Sequence, residues 1–213
     1  MNLEKKILPS RNAFAADPFG YSSSAWLKWG IAQTVAGFPM DISKPPTTED
    51  LKSPVLWLTQ AHALTQAAIA LVKNEPAFED MPIYMRGVCD AQYCAVSLML
   101  VGYSLEVCLK AMTILRSGVK AYMVNEKSFY HHRLVKLAEF VPDLSNKDKA
   151  ILQALTHFTL WAGRYPDPGT NRLKDIEEVF TLSEEHEIAA KDLFNLAARV
   201  MSHASSVIEA TTP

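Results

Sequence analysis

The chain of 213 residues is short of several things that would name a function outright. It has only three cysteines, Cys89, Cys94 and Cys108, spaced Cys-x4-Cys and Cys-x13-Cys, with no Cys-x-x-Cys pair to nucleate a zinc site. On a helix Cys94 and Cys108 would stand roughly 21 Å apart, too far for a disulfide. All three therefore read as free thiols, packed as small apolar residues in a reducing compartment. Eight glycines and 12 prolines exclude collagen-like and Gly-rich repeats. No Gly-rich phosphate loop, Gly-x-Ser-x-Gly elbow, His-Glu-x-x-His pair or EF-hand loop is present, so enzymes with a local signature are set aside. No metal or cofactor is expected. Charge of one sign is also lacking: 21 Lys and Arg against 23 Asp and Glu give -2 overall. Met1 to Ser10 carries Lys5 and Lys6 with no apolar run behind them, unlike a secretory signal. Ala91 to Leu105, fifteen uncharged residues, falls short of the ~20 needed to span a bilayer. The expectation is a cytoplasmic protein without a membrane partner.

What is present is helical patterning. Half of the composition, 49%, is hydrophobic, enough for a sizeable core. Residues 1–52 differ from the rest: Pro9, Pro18, Gly20, Pro39 and Pro45-Pro46 punctuate them. One short helix fits Ser24 to Ala36, with Trp26, Trp29 and Ile31 on one side. This stretch is expected to be an extension packing on the main domain, since it cannot build its own core. From residue 53 to 213 the pattern is that of a bundle. Ser53 and Pro54 suit a helix start, and Leu58, Ala61, Leu64 and Ala68 recur at three- and four-residue steps toward an end near Asn74. A longer helix runs from Pro82 or Gly87 to Ser117, stopped by Gly118. Its middle, Ala91 to Leu105, is apolar nearly all round and marks a buried central helix. A loop follows from Gly118 to Tyr130, then a short helix from His131 to Val141. Ser145 and Asp148 form a capping box for a helix through Trp161 that breaks at Arg164-Tyr165-Pro166-Asp167-Pro168-Gly169. A last helix spans Ser183 to Ile208. No alternating β-branched run appears, so the fold class is all-α: an antiparallel bundle of four to six helices with an N-terminal extension.

Three polar features remain. Between Lys110 and Lys136 stand six cations, Lys110, Arg116, Lys120, Lys127, Arg133 and Lys136, against the single acid Glu126. That local +5 leaves -7 for the remainder, and a face so charged attracts phosphate. His132-Arg133-Leu134-Val135-Lys136-Leu137 sets a histidine before an inward pair of leucines, where its ring can anchor the turn or serve in proton transfer. Arg164 ends a helix before a rigid turn. Its guanidinium fork suits an anion, or equally a buried ion pair with Glu106, which itself stands one turn from Lys110.

Taken together these motifs carry a resemblance. Gly102-Tyr103-Ser104-Leu105-Glu106-Val107-Cys108-Leu109-Lys110-Ala111 resembles the small-x-x-x-Glu-x-x-x-Lys-Ala helix of the HEPN superfamily. His132-x-Leu134-x-x-Leu137 is similar to its His-Asp-Leu-x-x-Leu turn, with Arg133 in place of the aspartate. Arg164-Tyr165-Pro166-Asp167 is similar to its Arg-Tyr-Pro-Asp helix end, and the order agrees over residues 54–208. The resemblance implies a helical bundle, often a homodimer, that binds or cleaves RNA or nucleotides. It also implies a toxin or defence setting, in some members beside a nucleotidyltransferase-like partner. Active members carry Arg-x4–6-His, in which histidine moves the proton and arginine stabilises charge on phosphorus. Here the nearest match is Arg199-x3-His203, whose members still share a helix face. His157, two turns before Arg164, offers a second pairing. Candidate catalytic residues are thus Arg199, His203 and His157. Candidate phosphate contacts are Lys110, Arg116, Lys120, His132, Arg133 and Arg164. A polar lock of Glu106, Lys110, His132 and Arg164 is the structural alternative, in an interaction module without catalysis.

Overall fold

The computed structural model describes residues 7–38, 40–170 and 172–211; Lys5, Lys6 and Pro39 lie outside them. Helices and turns account for the structure, with no strand among the described residues. Two compact units divide the chain, Met1–Leu56 and Trp57–Pro213.

Among the described residues the first unit holds the α-helices α1 (Arg11–Ala16), α2 (Pro18–Ser22) and α3 (Ala25–Val35), and a 3-10 turn at Asp50–Lys52. Ser10 and Asp17 cap the first two through their side-chain oxygens, accepting from Ala13 N and Gly20 N at 3.2 and 2.9 Å. The phenol oxygen of Tyr21 accepts from Ser10 N at 3.1 Å, and its ring stands edge-on to Phe14. Within α3 Ile31 is buried and the two tryptophans are half-buried. Gly30 is required there, because a Cβ would stand 2.3 Å from the Ile42 side chain.

Seven further α-helices follow among the described residues: α4 (Pro54–Lys73), α5 (Ile83–Ser117), α6 (Val119–Val124), α7 (Leu134–Leu137), α8 (Asn146–His157), α9 (Lys174–Glu185) and α10 (Ala190–Thr211). Five of them, α4, α5, α7, α8 and α10, share one core, with Leu105, Leu109, Leu134, Leu152 and Leu196 fully enclosed. The inner stripe of α10, Leu193, Leu196, Ala197, Val200, Ala204 and Val207, is buried throughout, as its 3.6-residue periodicity requires. The capping box is formed: Ser145 Oγ accepts from Asp148 N at 3.1 Å, and Asp148 Oδ2 accepts from Ser145 N at 2.9 Å.

The helix after the capping box changes its hydrogen bonding at its end. Phe158–Ala162 forms a π turn, in which Gly163 N donates to Phe158 O five residues back, at 3.2 Å. This turn lies hard against α5. A Cβ on Gly102 would meet Thr159 Cγ2 at 2.5 Å, and one on Gly163 would meet Met99 Cβ at 2.4 Å. Two glycines on opposite sides of one contact let the backbones approach where no side chain fits.

Several expectations need correcting. The segment after Gly118 is not a loop but α6 followed by a 3-10 turn at Glu126–Phe129. The helix expected over 131–141 is only the four residues of α7, ending well before Pro142, which disfavours helix in the residue preceding it. In place of one last helix from Ser183 there are two, α9 and α10, parted by a turn at 186–189. Glu187 takes a left-handed φ of 47° there, and Asp192 Oδ2 accepts from Ala189 N at 3.0 Å to start the new helix. The middle of α5 is enclosed only from Ser97 onward. Ala91, Gln92 and Cys94 are exposed, as are Ile83, Tyr84 and Val88 earlier in the helix. Of the free thiols only Cys108 is buried, and burial pushes its pKa up to about 11. Finally, α4 and α5, at 20 and 35 residues, are long and apolar enough to cross a membrane. Burial covers 56% of the apolar stretch of α5, as befits a core helix, and 11% of that of α4.

Candidate functional site

Glu106 is the centre of the polar constellation. It sits on the core side of α5, 5% exposed, and uses both carboxylate oxygens. Oε1 accepts from Lys110 Nζ at 2.8 Å, one helical turn on, and Oε2 meets His132 Nδ1 at 2.8 Å. A buried carboxylate needs such compensation, because its desolvation outweighs any single exposed contact. The turn into α7 brings His132 there. Leu134 and Leu137 are buried, Leu134 N donates to Thr156 Oγ1 at 3.1 Å, and that anchor fixes the residues just before α7.

Arg164 does not close an ion pair with Glu106. Its guanidinium lies over the Tyr103 ring, 5.0 Å from the centroid, and Tyr103 stands edge-on to His132 at 6.0 Å. Tyr103 is fixed in turn through its hydroxyl, which donates to the Thr159 carbonyl of the π turn at 3.2 Å. The lock is therefore a triad of Glu106, Lys110 and His132, with Arg164 attached through an aromatic ring that sequence spacing does not single out.

The candidate catalytic residues each have another neighbour. Arg199 binds the carboxylate of Asp148, the capping residue of α8. His203, one turn beyond, packs beside Phe140, over which Arg116 also lies at 4.6 Å. Among the described residues no hydrogen bond or ion pair joins Arg199 to His203. His157 lines a cavity to which Arg164 does not contribute.

That cavity, about 610 Å³, is bounded by α7, α8 and the residues entering α9. Arg133 and Lys136 line it from one side of the chain, Arg172 and Lys174 from another. All four are exposed, and none makes an ion pair among the described residues. Nearby, His131 is held below its ordinary value of 6.5, first by burial, then by the charges of Lys136, Lys110 and Arg133. His157 lines the cavity and is 6% exposed. Glu178 Oε2 stands 3.3 Å from its Nε2, near enough for attraction but out of hydrogen-bond alignment, so both ring nitrogens are buried without a hydrogen bond. Lys120 is exposed on α6 and does not line the cavity.

Arg172 and Lys174 are the residues that sequence reasoning missed. A signal for them exists in Ile176, Val179 and Leu182, a three-residue apolar step that marks α9 and puts the two cations at its entrance. Among the described residues no cluster of His, Cys, Asp and Glu side chains can hold a metal ion. No protein-family model, curated protein or solved structure matches this chain.

Proposed function

We propose that this is a HEPN-like helical protein that binds RNA or nucleotide phosphate in the cytoplasm. One observation carries the reading: Arg133, Lys136, Arg172 and Lys174 converge on one cavity with no ion-pair partners among the described residues. Glu139 and Asp175 line the same cavity, so the cations outnumber the acids there by two, and cations without an ion-pair partner are free to neutralise phosphate. The motif order of Glu106, Lys110, His132 and Arg164 supports the family resemblance, and with it a homodimer in a toxin–antitoxin or defence setting. A nucleotidyltransferase-like protein would be the partner.

Filter binding of labelled single-stranded RNA at graded salt concentrations tests this directly. Arg133→Ala with Lys136→Ala should weaken binding and flatten the salt slope by about 0.7 for each phosphate no longer neutralised. Affinity and slope unchanged in that variant would end the proposal.

A second reading, the interaction module without nucleic acid, draws on the saturated triad at Glu106, in which every charge already has its partner. Ribonuclease activity has less behind it, since Arg199 is engaged by Asp148. Incubation of total RNA with the protein in EDTA, beside Arg199→Ala, separates these: cleavage abolished in the variant would make the protein a metal-independent ribonuclease.

A further inference from the structure

We infer that the cavity bounded by α7, α8 and the entrance to α9 holds a single nucleotide; the inference rests on the phosphate-binding reading and sharpens it. Three features point past a bare anion. The first is size. At about 610 Å³ the cavity falls within the roughly 300–1,000 Å³ of small-molecule pockets, far more than inorganic phosphate fills. The second is its mixed wall. Beside the four cations, Val135 and Leu160 offer apolar surface, against which a base or sugar ring can lie. Glu139 and Asp175 line it too, yet neither forms an ion pair with a cation among the described residues, which leaves carboxylate oxygens to accept from ribose hydroxyls.

The third is His157. Its buried ring has the Glu178 carboxylate 3.3 Å from Nε2 but no hydrogen bond at either nitrogen, an exception in folded proteins, where buried polar groups find such partners. A nucleotide supplies ring nitrogens, amines and hydroxyls that would complete it. The cations, for their part, come from two separate stretches of chain and meet at one place. A groove that tracks a long strand would string its charges out instead. The phosphate is thus held between Arg133 and Lys136 on one side and Arg172 and Lys174 on the other, with the nucleoside directed toward His157.

Titration calorimetry decides it, with each of the four ribonucleoside monophosphates, inorganic phosphate and a short single-stranded RNA as separate probes. At least one monophosphate should bind the intact chain more tightly than phosphate does. Arg172→Ala with Lys174→Ala, both exposed and harmless to the core, should weaken it about tenfold or more, the scale of one charge-assisted hydrogen bond. Leu160→Trp, which fills the cavity, should do the same, and His157→Gln should weaken binding while the melting temperature is followed as a check on folding. Phosphate bound as tightly as any nucleotide would overturn the nucleotide and leave an anion site. RNA bound equally by the wild type and all cavity variants, with no monophosphate bound, would overturn the pocket while sparing the broader reading. Neither RNA nor monophosphate bound would bring down both.

Discussion

Two polar regions draw on the chain at and just before α7, and they are built in opposite ways. At Glu106 the charges are enclosed and saturated: one carboxylate, two partners, each at 2.8 Å. In the neighbouring cavity the charges are exposed and unsaturated, and the one buried polar side chain that opens there without a hydrogen bond is His157. Arg133 stands one residue after His132, so adjacent positions in the sequence belong to different kinds of site. Saturation is the mark of a group that holds the fold, and its absence the mark of a group that waits for something else.

The sharpest way to test that contrast is to remove a partner from each side. Glu106→Ala strands Lys110, whose side chain is 12% exposed, and should cost about 3–5 kcal/mol in denaturant unfolding. Glu106→Gln keeps acceptor capacity and should cost less. Arg164→Ala removes only a guanidinium from the face of Tyr103, a change of about 0.5–1 kcal/mol in the same measurement. A cost as large as that of Glu106→Ala would return Arg164 to the lock. Arg133→Ala with Lys136→Ala should leave stability within about 0.5 kcal/mol of wild type, because neither cation makes an ion pair among the described residues. If that variant unfolds as readily as Glu106→Ala, the distinction between the two regions collapses.

The smallest effect is one of pH. His131 is held below its ordinary value, so the unfolded chain binds its proton more readily than the folded one. Stability from this group is therefore full above 6.5 and declines as pH falls from there through the depressed folded value. His131→Asn should flatten that acid-side decline in melting temperature. A steeper decline in the variant would reverse the sign and place His131 as a paired cation.

Much of the fold is legible in the sequence because the chain announces its helix ends. Pro54 in a first turn, Ser145 with Asp148 as a box, and Gly118 at a positive φ of 80° each carry a local physical reason for a boundary. The segments that escape lack such signs. The start of α9 has no side-chain cap at Leu173, and the turn before α10 contains no glycine or proline. Within the site, the Glu106–Lys110 pair follows from helical spacing alone, whereas the approach of His132 from 26 residues away is a product of packing. The +5 segment is visible as a run, but its members disperse: Lys110 into the triad, Arg116 onto Phe140, Arg133 and Lys136 into the cavity. No spacing rule announces that Arg172 and Lys174 complete the set, since that requires α9 to fold back beside α8.

The π turn at 158–162 can be seen as a reading-frame device. An α-helix advances about 100° per residue, so one residue too many in a turn rotates everything after it by that amount without moving what comes before. Upstream of the extra residue His157 opens on the cavity; downstream, Arg164 is swung round to Tyr103. Deleting one residue from 160–162 would restore the ordinary phase and turn Arg164 away from Tyr103, while the Thr159 carbonyl upstream keeps the Tyr103 hydroxyl. A single surplus residue thus lets one helix serve two sites that a regular helix could not address together.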